Sequence, residues 1–269
     1  MRRAEPPGNA PREGRDARRG VADLTVRFLG AGDAVGSGGR FQTCISLRTA
    51  ATHALLDCGA SSLVAMKQRG VDPTSVDAVL VTHLHGDHFG GIPFLVLDAQ
   101  FARRTRPLLL VGPPGFRERV HRAMEVLFPG SAGAKRSFEL DVRELPERVE
   151  TPIGGFVVTG YAVRHASGAP AHALRVAAQG KVVAYSGDTE WTEALLEAAR
   201  GADLFVCEAY FFEKTVPHHL SYATLRQQRR RFDCRRMVLT HPSADLLARR
   251  GEVEPAVAEV ADDGLEFLL

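Results

Sequence analysis

The spacing of apolar residues changes period repeatedly along the chain, and each change predicts an element. Positions 24–29 (Leu-Thr-Val-Arg-Phe-Leu) alternate, as a strand with one buried face does. Alternating or continuous apolar runs predict further strands at 43–47, 54–57, 79–82, 108–111, 139–145, 156–163, 172–177, 181–186, 204–207 and 237–240, the last being a final buried strand. Spacing of three and four predicts helices at 61–69, 92–104, 116–128, 191–200 and 222–231. In 116–128, Val120, Met124, Leu127 and Phe128 make one apolar face. Gly70 and Asp72-Pro73 close the first helix, and 128–135 reads as a Gly/Pro loop. Strands come in a cluster, then helices, then the same again, with no internal repeat. That order suggests two sheets with helices outside, although the pattern itself shows only mixed α and β.

Chemistry concentrates where the strand at 79–82 ends. His83, His85, Asp87 and His88 fall within six residues. His83 and His85 are two apart, so on an extended backbone they point the same way. Gly86 lets the chain turn and brings Asp87 and His88 round, and Gly90-Gly91 stand at the entry to a helix. Such a set suits a borderline divalent metal. The bland alternative is a polar loop that happens to be rich in histidine. Three later strand ends each present one further donor: His165, Asp188 and His241. Strand ends gather at one sheet edge, where sites are commonly built. The glycine-rich turn at 30–39 is not a dinucleotide site, because its glycine spacing fits poorly and a strand follows it rather than a helix.

Composition narrows the class. Hydrophobic content of 45% and charged content of 25% are those of an ordinary globular protein, and the length of 269 residues allows one large domain or two small ones. A net charge of +2 makes no global case for nucleic acid. No apolar run approaches the ~20 residues of a membrane helix. Cys44, Cys58, Cys207 and Cys234 are widely spaced and form no CxxC pair, which favours reduced, buried thiols in a cytoplasmic protein over a disulfide or thiolate site. Residues 1–20 are rich in Arg, Pro and Gly and lack the apolar stretch of a signal peptide. They read as a disordered basic lead-in, with a nucleic-acid arm as the functional alternative.

The order HxHxDH, then His165, then Ser186-Gly-Asp188-Thr, then Thr240-His241-Pro-Ser resembles the phosphodiesterase branch of the metallo-β-lactamase superfamily. Ribonuclease Z and the cyclic phosphodiesterase of the carbon–phosphorus lyase pathway belong to that branch. The resemblance implies an α/β (α+β) four-layer αββα sandwich, the metallo-β-lactamase fold, with 21–269 as a single domain. It implies that His83, His85 and His165 hold one metal, that Asp87, His88 and His241 hold a second, and that Asp188 bridges them. Two divalent ions, Zn2+ with Mn2+ or Fe2+ as alternatives, would then share a hydroxide and clamp a phosphoryl group. Asp57 ends an apolar run, and the family often carries such a residue behind the metal loop; capping the helix at 61–69 is the equal alternative.

Val206-Cys-Glu208-Ala-Tyr-Phe and Val216-Pro-His218-His219-Leu-Ser221 are similar to family segments in which a carboxylate and a histidine work together. The match implies that His219 is the general acid and Glu208 its orienting partner, so Asp87, Glu208 and His219 are the residues expected to act in the reaction. A helix N-terminus capped by Ser221 is the alternative. His218 and His121 read as surface, and His172 as a packing residue. Between His165 and Asp188 there is room only for a hairpin, whereas ribonuclease Z carries a long tRNA-binding arm there. The expected partner is therefore a small or cyclic phosphodiester, with RNA not favoured, no membrane, and a homodimer implied by the frequency of dimers among relatives. Hydrolysis of a lactone, thioester or β-lactam is a further alternative, and a non-enzymatic metal binder the least supported. Arg226, Arg229, Arg230, Arg231, Arg235 and Arg236 form either a phosphate-reading patch or, more commonly, a solvated helix face.

Overall fold

Alternation along the strands sorts side chains to two faces, and the computed structural model, which describes residues 24–269, buries both. The basic segment expected at 1–20 lies outside the described residues. The first half of the chain supplies β1 (Thr25–Gly30), β2 (Cys44–Arg48), β3 (His53–Leu56), β4 (Ala78–Leu80), β5 (Leu108–Gly112) and β6 (Leu140–Glu144). The second half supplies β7 (Thr151–Ile153), β8 (Phe156–Val163), β9 (Ala171–Ala178), β10 (Lys181–Tyr185), β11 (Leu204–Glu208), β12 (Met237–Thr240), β13 (Glu259–Val260) and β14 (Glu266–Leu268). One sheet runs β14-β1-β2-β3-β4-β5-β6 and the other β13-β12-β11-β10-β9-β8-β7.

Period two explains the layering. Leu56, Leu80, Val183, Leu204, Val206 and Val238 join one core between the sheets. Their neighbours Leu55 and Val79 face outward under α1 (Ser62–Gln68), α3 (Ile92–Phe101) and α4 (Phe116–Leu127), beside the short α2 (Gly86–Phe89). Phe205, Cys207 and Leu239 face the opposite outer layer with α5 (Ala194–Ala198), α6 (Tyr222–Gln228) and α7 (Ala244–Ala248). The result is the expected αββα sandwich. Each fully buried Leu, Val or Phe contributes about 1.5–3 kcal/mol, and three contiguous cores hold the two sheets rigid enough to present their strand ends as one rim.

Several elements differ from the sequence reading. The strand at 237–240 is not the last, because β13 and β14 follow and β14 returns to pair with β1, matching Val26 to Phe267. β14 has three residues with only Phe267 buried, too short a run to carry a period. β7 was missed for the same reason. The helix expected at 191–200 contracts to α5, and the one at 222–231 ends at Gln228 before a 3-10 turn over Arg229–Arg231.

Candidate metal centre

β4 ends at Leu80, two residues short of the expected strand end, and the chain bends at Thr82 and His85 before α2 turns it back. This turn is pressed against the end of β3. The Cys58 amide donates to the His88 carbonyl at 2.6 Å and the Gly91 amide to the Cys58 carbonyl at 2.8 Å. A Cβ on Gly91 would sit 2.2 Å from the Gly59 oxygen, and one on Gly59 2.2 Å from the Asp87 oxygen. Glycine is required at both positions by backbone contact.

The structure brings all seven expected donors together in two groups, His83 with His85 and His165, and Asp87 with His88, Asp188 and His241, the ligand atoms of each group lying within 4.8 Å of one another. In the first group His85 Nδ1 lies 3.0 Å from His165 Nε2. His165 Nδ1 donates to the His218 carbonyl at 2.9 Å, which leaves Nε2 with its lone pair facing the group. Thr82 donates its hydroxyl to Asp57 and so accepts from His83 Nδ1 at 3.0 Å. His83 Nε2 is buried with no hydrogen-bond partner among the described residues. Burial pushes His165 down to about 4 and holds His83 well below the usual histidine range, with the neighbouring His88 adding to it. These rings are neutral, the form that ligates metal.

The second group is built on charge. His88 Nε2 lies 3.2 Å from Asp87 Oδ2 and 3.4 Å from Asp188 Oδ1, yet hydrogen-bonds neither. His241 Nε2 lies 3.1 Å from Asp87 Oδ2 and 3.4 Å from Asp188 Oδ2. Asp188 Oδ2 is 3.9 Å from both His83 Nε2 and His165 Nε2, so its carboxylate faces both groups. Burial opposes the charge on His88, but Asp188, Asp57 and Asp87 outweigh it and raise the ring well above its ordinary range. Burial likewise opposes ionisation of Asp87 and Asp188, and His88 and His241 hold both well below the usual carboxylate range. The buried carboxylates thus favour positive charge at these rings, which a divalent cation would supply in place of the ring protons. Buried, unpartnered Nε2 and carboxylate atoms converging on common points fit divalent metal in both groups.

Asp57 does not cap α1. It sits below the centre with φ 57°, and accepts from Thr82 N at 2.8 Å, Thr82 Oγ1, His88 Nδ1 at 2.7 Å and Tyr185 OH at 3.0 Å. His241 also has positive φ (59°), and its amide donates to the Ala31 carbonyl at 3.0 Å, tying the glycine-rich loop to the rim. Asp263 holds that loop from far along the chain, accepting from the amides of Ala31 and Phe41. No local sequence signal pointed to Asp263.

Glu208 ends β11 fully buried, and His219 Nδ1 donates to its Oε2 at 3.0 Å while the Thr189 amide donates to its Oε1. Burial pushes the Glu208 carboxyl up, and the nearby Asp188 charge adds to it. A ring nitrogen of His219 falls within 4.8 Å of donor atoms of His165 and Asp188. Tyr210, unassigned in the sequence reading, stacks on His219 at 4.8 Å between centroids and 28° between planes. Ser221 caps α6, accepting from the Thr224 amide at 3.2 Å, so helix capping and the Glu208–His219 pair coexist. His218 is exposed and His121 exposed, while His172 is buried. The arginines form ion pairs, among them Arg226 with Glu254, Arg231 with Glu193, Arg235 with Asp203 and Arg236 with Glu259. Cys44, Cys58 and Cys207 are free and buried, and Cys234 is free and half-buried. No helix among the described residues is long and apolar enough to cross a membrane.

The family model described as Anti-Pycsar protein Apyc1 matches residues 24–254. Ribonuclease Z of Methanothermobacter thermautotrophicus is 30% identical over 292 residues, covering 89% of this chain and 95% of its own. Ribonuclease Z of Agathobacter rectalis is 27% identical over 289 residues, covering 88% and 93%. Among solved structures, the metallo-β-lactamase fold protein YhfI from Bacillus subtilis superposes with a TM-score of 0.77 at 18% identity, covering 92% of this chain and 100% of that one.

Proposed function

Because the chain belongs to the family of the Anti-Pycsar protein Apyc1, within the ribonuclease Z-like branch of the metallo-β-lactamase superfamily, we propose that it is a metal-dependent phosphodiesterase acting on a small or cyclic phosphodiester. It is a metal-binding hydrolase of the metallo-β-lactamase fold. The observation that carries the finer reading is the Glu208–His219 pair standing against the seven-donor cluster. Lactone or thioester cleavage has no need of that particular acid.

His83, His85 and His165 would hold one ion, Asp87, His88 and His241 the second, and Asp188 both, with Zn2+ the metal the imidazole-rich donor set favours. When bound, the ions supply an activated water and draw charge off the phosphoryl oxygens. The chain's own residues do the rest. Glu208 binds the Nδ1 side of His219 and keeps the ring oriented, while the Tyr210 ring limits its rotation. His219 then holds a proton on its other nitrogen for the leaving oxygen. Asp57 keeps His88 in the tautomer whose Nε2 is bare. The free cysteines are in keeping with a reducing compartment such as the cytoplasm.

Cleavage of RNA, as in the relatives named ribonuclease Z, is the second reading, favoured by their identity over nearly the whole chain. Against it, only β9 and β10 stand between His165 and Asp188, with no protruding arm. Turnover with Zn2+ or Mn2+ should be compared on bis-p-nitrophenyl phosphate, cyclic nucleotides, a pre-tRNA and a lactone. The main reading expects the diester and cyclic nucleotides to be cleaved; preference for the pre-tRNA would select the second, and cleavage of the lactone alone would overturn both. His219→Ala should keep the metal content and lose most turnover, whereas Asp188→Ala should lose metal.

A further inference from the structure

We propose that the groove beside His219 seats the leaving alcohol, and that its lining selects alcohols bearing no further phosphate. This rests on the reading of His219 as the general acid. A general acid must touch the leaving oxygen, so whatever that oxygen carries runs into the space beside the acid. Such a space exists. A cavity of about 410 Å³ is lined by Trp191, Val216, Pro217, Leu220, Glu190 and His219, with two threonines completing the wall. Its volume is within the ~300–1,000 Å³ of small-molecule sites. His219 is the residue common to this cavity and to the group with His165 and Asp188.

The lining is apolar apart from Glu190, His219 and the two hydroxyls, and it contains no lysine or arginine. Neighbouring cations are already engaged: Lys214, which precedes Thr215, stands 5.0 Å over the Phe211 ring. Arg164 bonds Glu190 at 3.5 Å, and Arg231 lies 5.5 Å above the Trp191 ring while pairing with Glu193. Glu190 also accepts from the His218 amide at 3.3 Å, which fixes its carboxylate beside the acid-bearing segment. A polynucleotide leaving group would bring its next phosphate into this groove and would need a free cation there. A neutral alcohol, an aromatic or nucleoside-like one above all, finds an indole, a proline and a valine to pack on. In the step itself a bond forms from a water oxygen to phosphorus and the bond from phosphorus to the leaving oxygen breaks. The leaving oxygen takes the His219 proton, and the proton lost by the water passes to solvent, from which His219 is recharged.

The test uses the metal-loaded full chain and a pair of methyl aryl phosphodiesters. Their phenols are matched in acidity, one neutral and one carrying a sulfonate, so the reacting phosphate is the same. The neutral ester should have the higher kcat/KM by about five- to tenfold. Val216→Lys should shrink or invert that ratio, and Glu190→Gln, which keeps an acceptor for the His218 amide, should shrink it partway, both at unchanged metal content. An unchanged ratio in both variants, or a wild-type preference for the sulfonate, would overturn the assignment while leaving the phosphodiesterase reading intact. Absence of turnover on either ester and on bis-p-nitrophenyl phosphate would instead remove the phosphodiesterase reading on which it rests.

Discussion

Asp57→Asn isolates one carboxylate's control over a ring it does not share with the reaction. Asp57 has φ 57°, a left-handed conformation that asparagine also adopts readily, so the change alters charge and bonding while shape is kept. In the wild type Oδ2 takes His88 Nδ1 at 2.7 Å, Thr82 Oγ1 at 2.9 Å and Tyr185 OH at 3.0 Å, and Oδ1 takes the Thr82 amide at 2.8 Å. An amide has one accepting atom for these two directions. With its nitrogen toward His88, the ring must move its proton to Nε2, the atom that faces Asp87 and Asp188. With its nitrogen toward Thr82, a buried amide loses its acceptor, at about 1–3 kcal/mol. Loss of the outer partner of a ligating histidine typically weakens metal ~10–100-fold, or about 1.4–2.7 kcal/mol. Zn2+ titration against a chromophoric chelator at constant pH reads this directly. One equivalent should weaken by that factor. The equivalent assigned above to His83, His85 and His165 should move far less, and Tyr185→Phe, which removes one donor, should have a smaller effect on either. If both equivalents bind Asp57→Asn as tightly as the wild type, the tautomer argument is wrong.

Glu208→Gln should leave the metal content unchanged and lower kcat by about 10²–10⁴-fold, measured on an unactivated alkyl leaving group where the acid matters most; a wild-type rate would refute the pairing with His219. Gly91→Ala puts a methyl 2.2 Å from the Gly59 oxygen, a backbone atom that cannot yield locally. It should cost about 1–3 kcal/mol in urea unfolding and weaken metal binding through displacement of His88. His53 lies between Ser46 and Ser75, and burial, helped by the Arg48 charge, pushes its pKa from 6.5 down to about 4. The folded state therefore favours the neutral ring, a stabilisation present above pH 6.5 and lost as pH falls towards 4. Between pH 7.5 and 5 the wild type should lose about 2 kcal/mol from this group, and His53→Gln should show a flatter profile over that window; parallel profiles would refute it.

What was legible in the residues alone was whatever repeats or clusters over short distances. Period two at 24–29 and a continuous apolar run at 79–82 marked buried strands, and the dense run from His83 to His88 marked a candidate metal loop, because ligands supplied by one strand end and its turn must be close in sequence. His165, Asp188 and His241 were legible because each follows an apolar run, and Glu208 with His219 through family-like segments. Tertiary structure alone decided the rest. Asp57 could equally have capped α1, since its partners Thr82, His88 and Tyr185 are 25, 31 and 128 positions away. His218 read as surface, correctly for its ring, but its carbonyl orients His165, and a backbone acceptor leaves no trace in residue identity. β14 closes the first sheet from the far end of the chain with three residues, too few to register a period. Side-chain chemistry and local spacing are properties of the chain. The hydrogen bonds that select a tautomer, the backbone contacts that demand glycine and the cavity beside His219 arise only when distant segments meet.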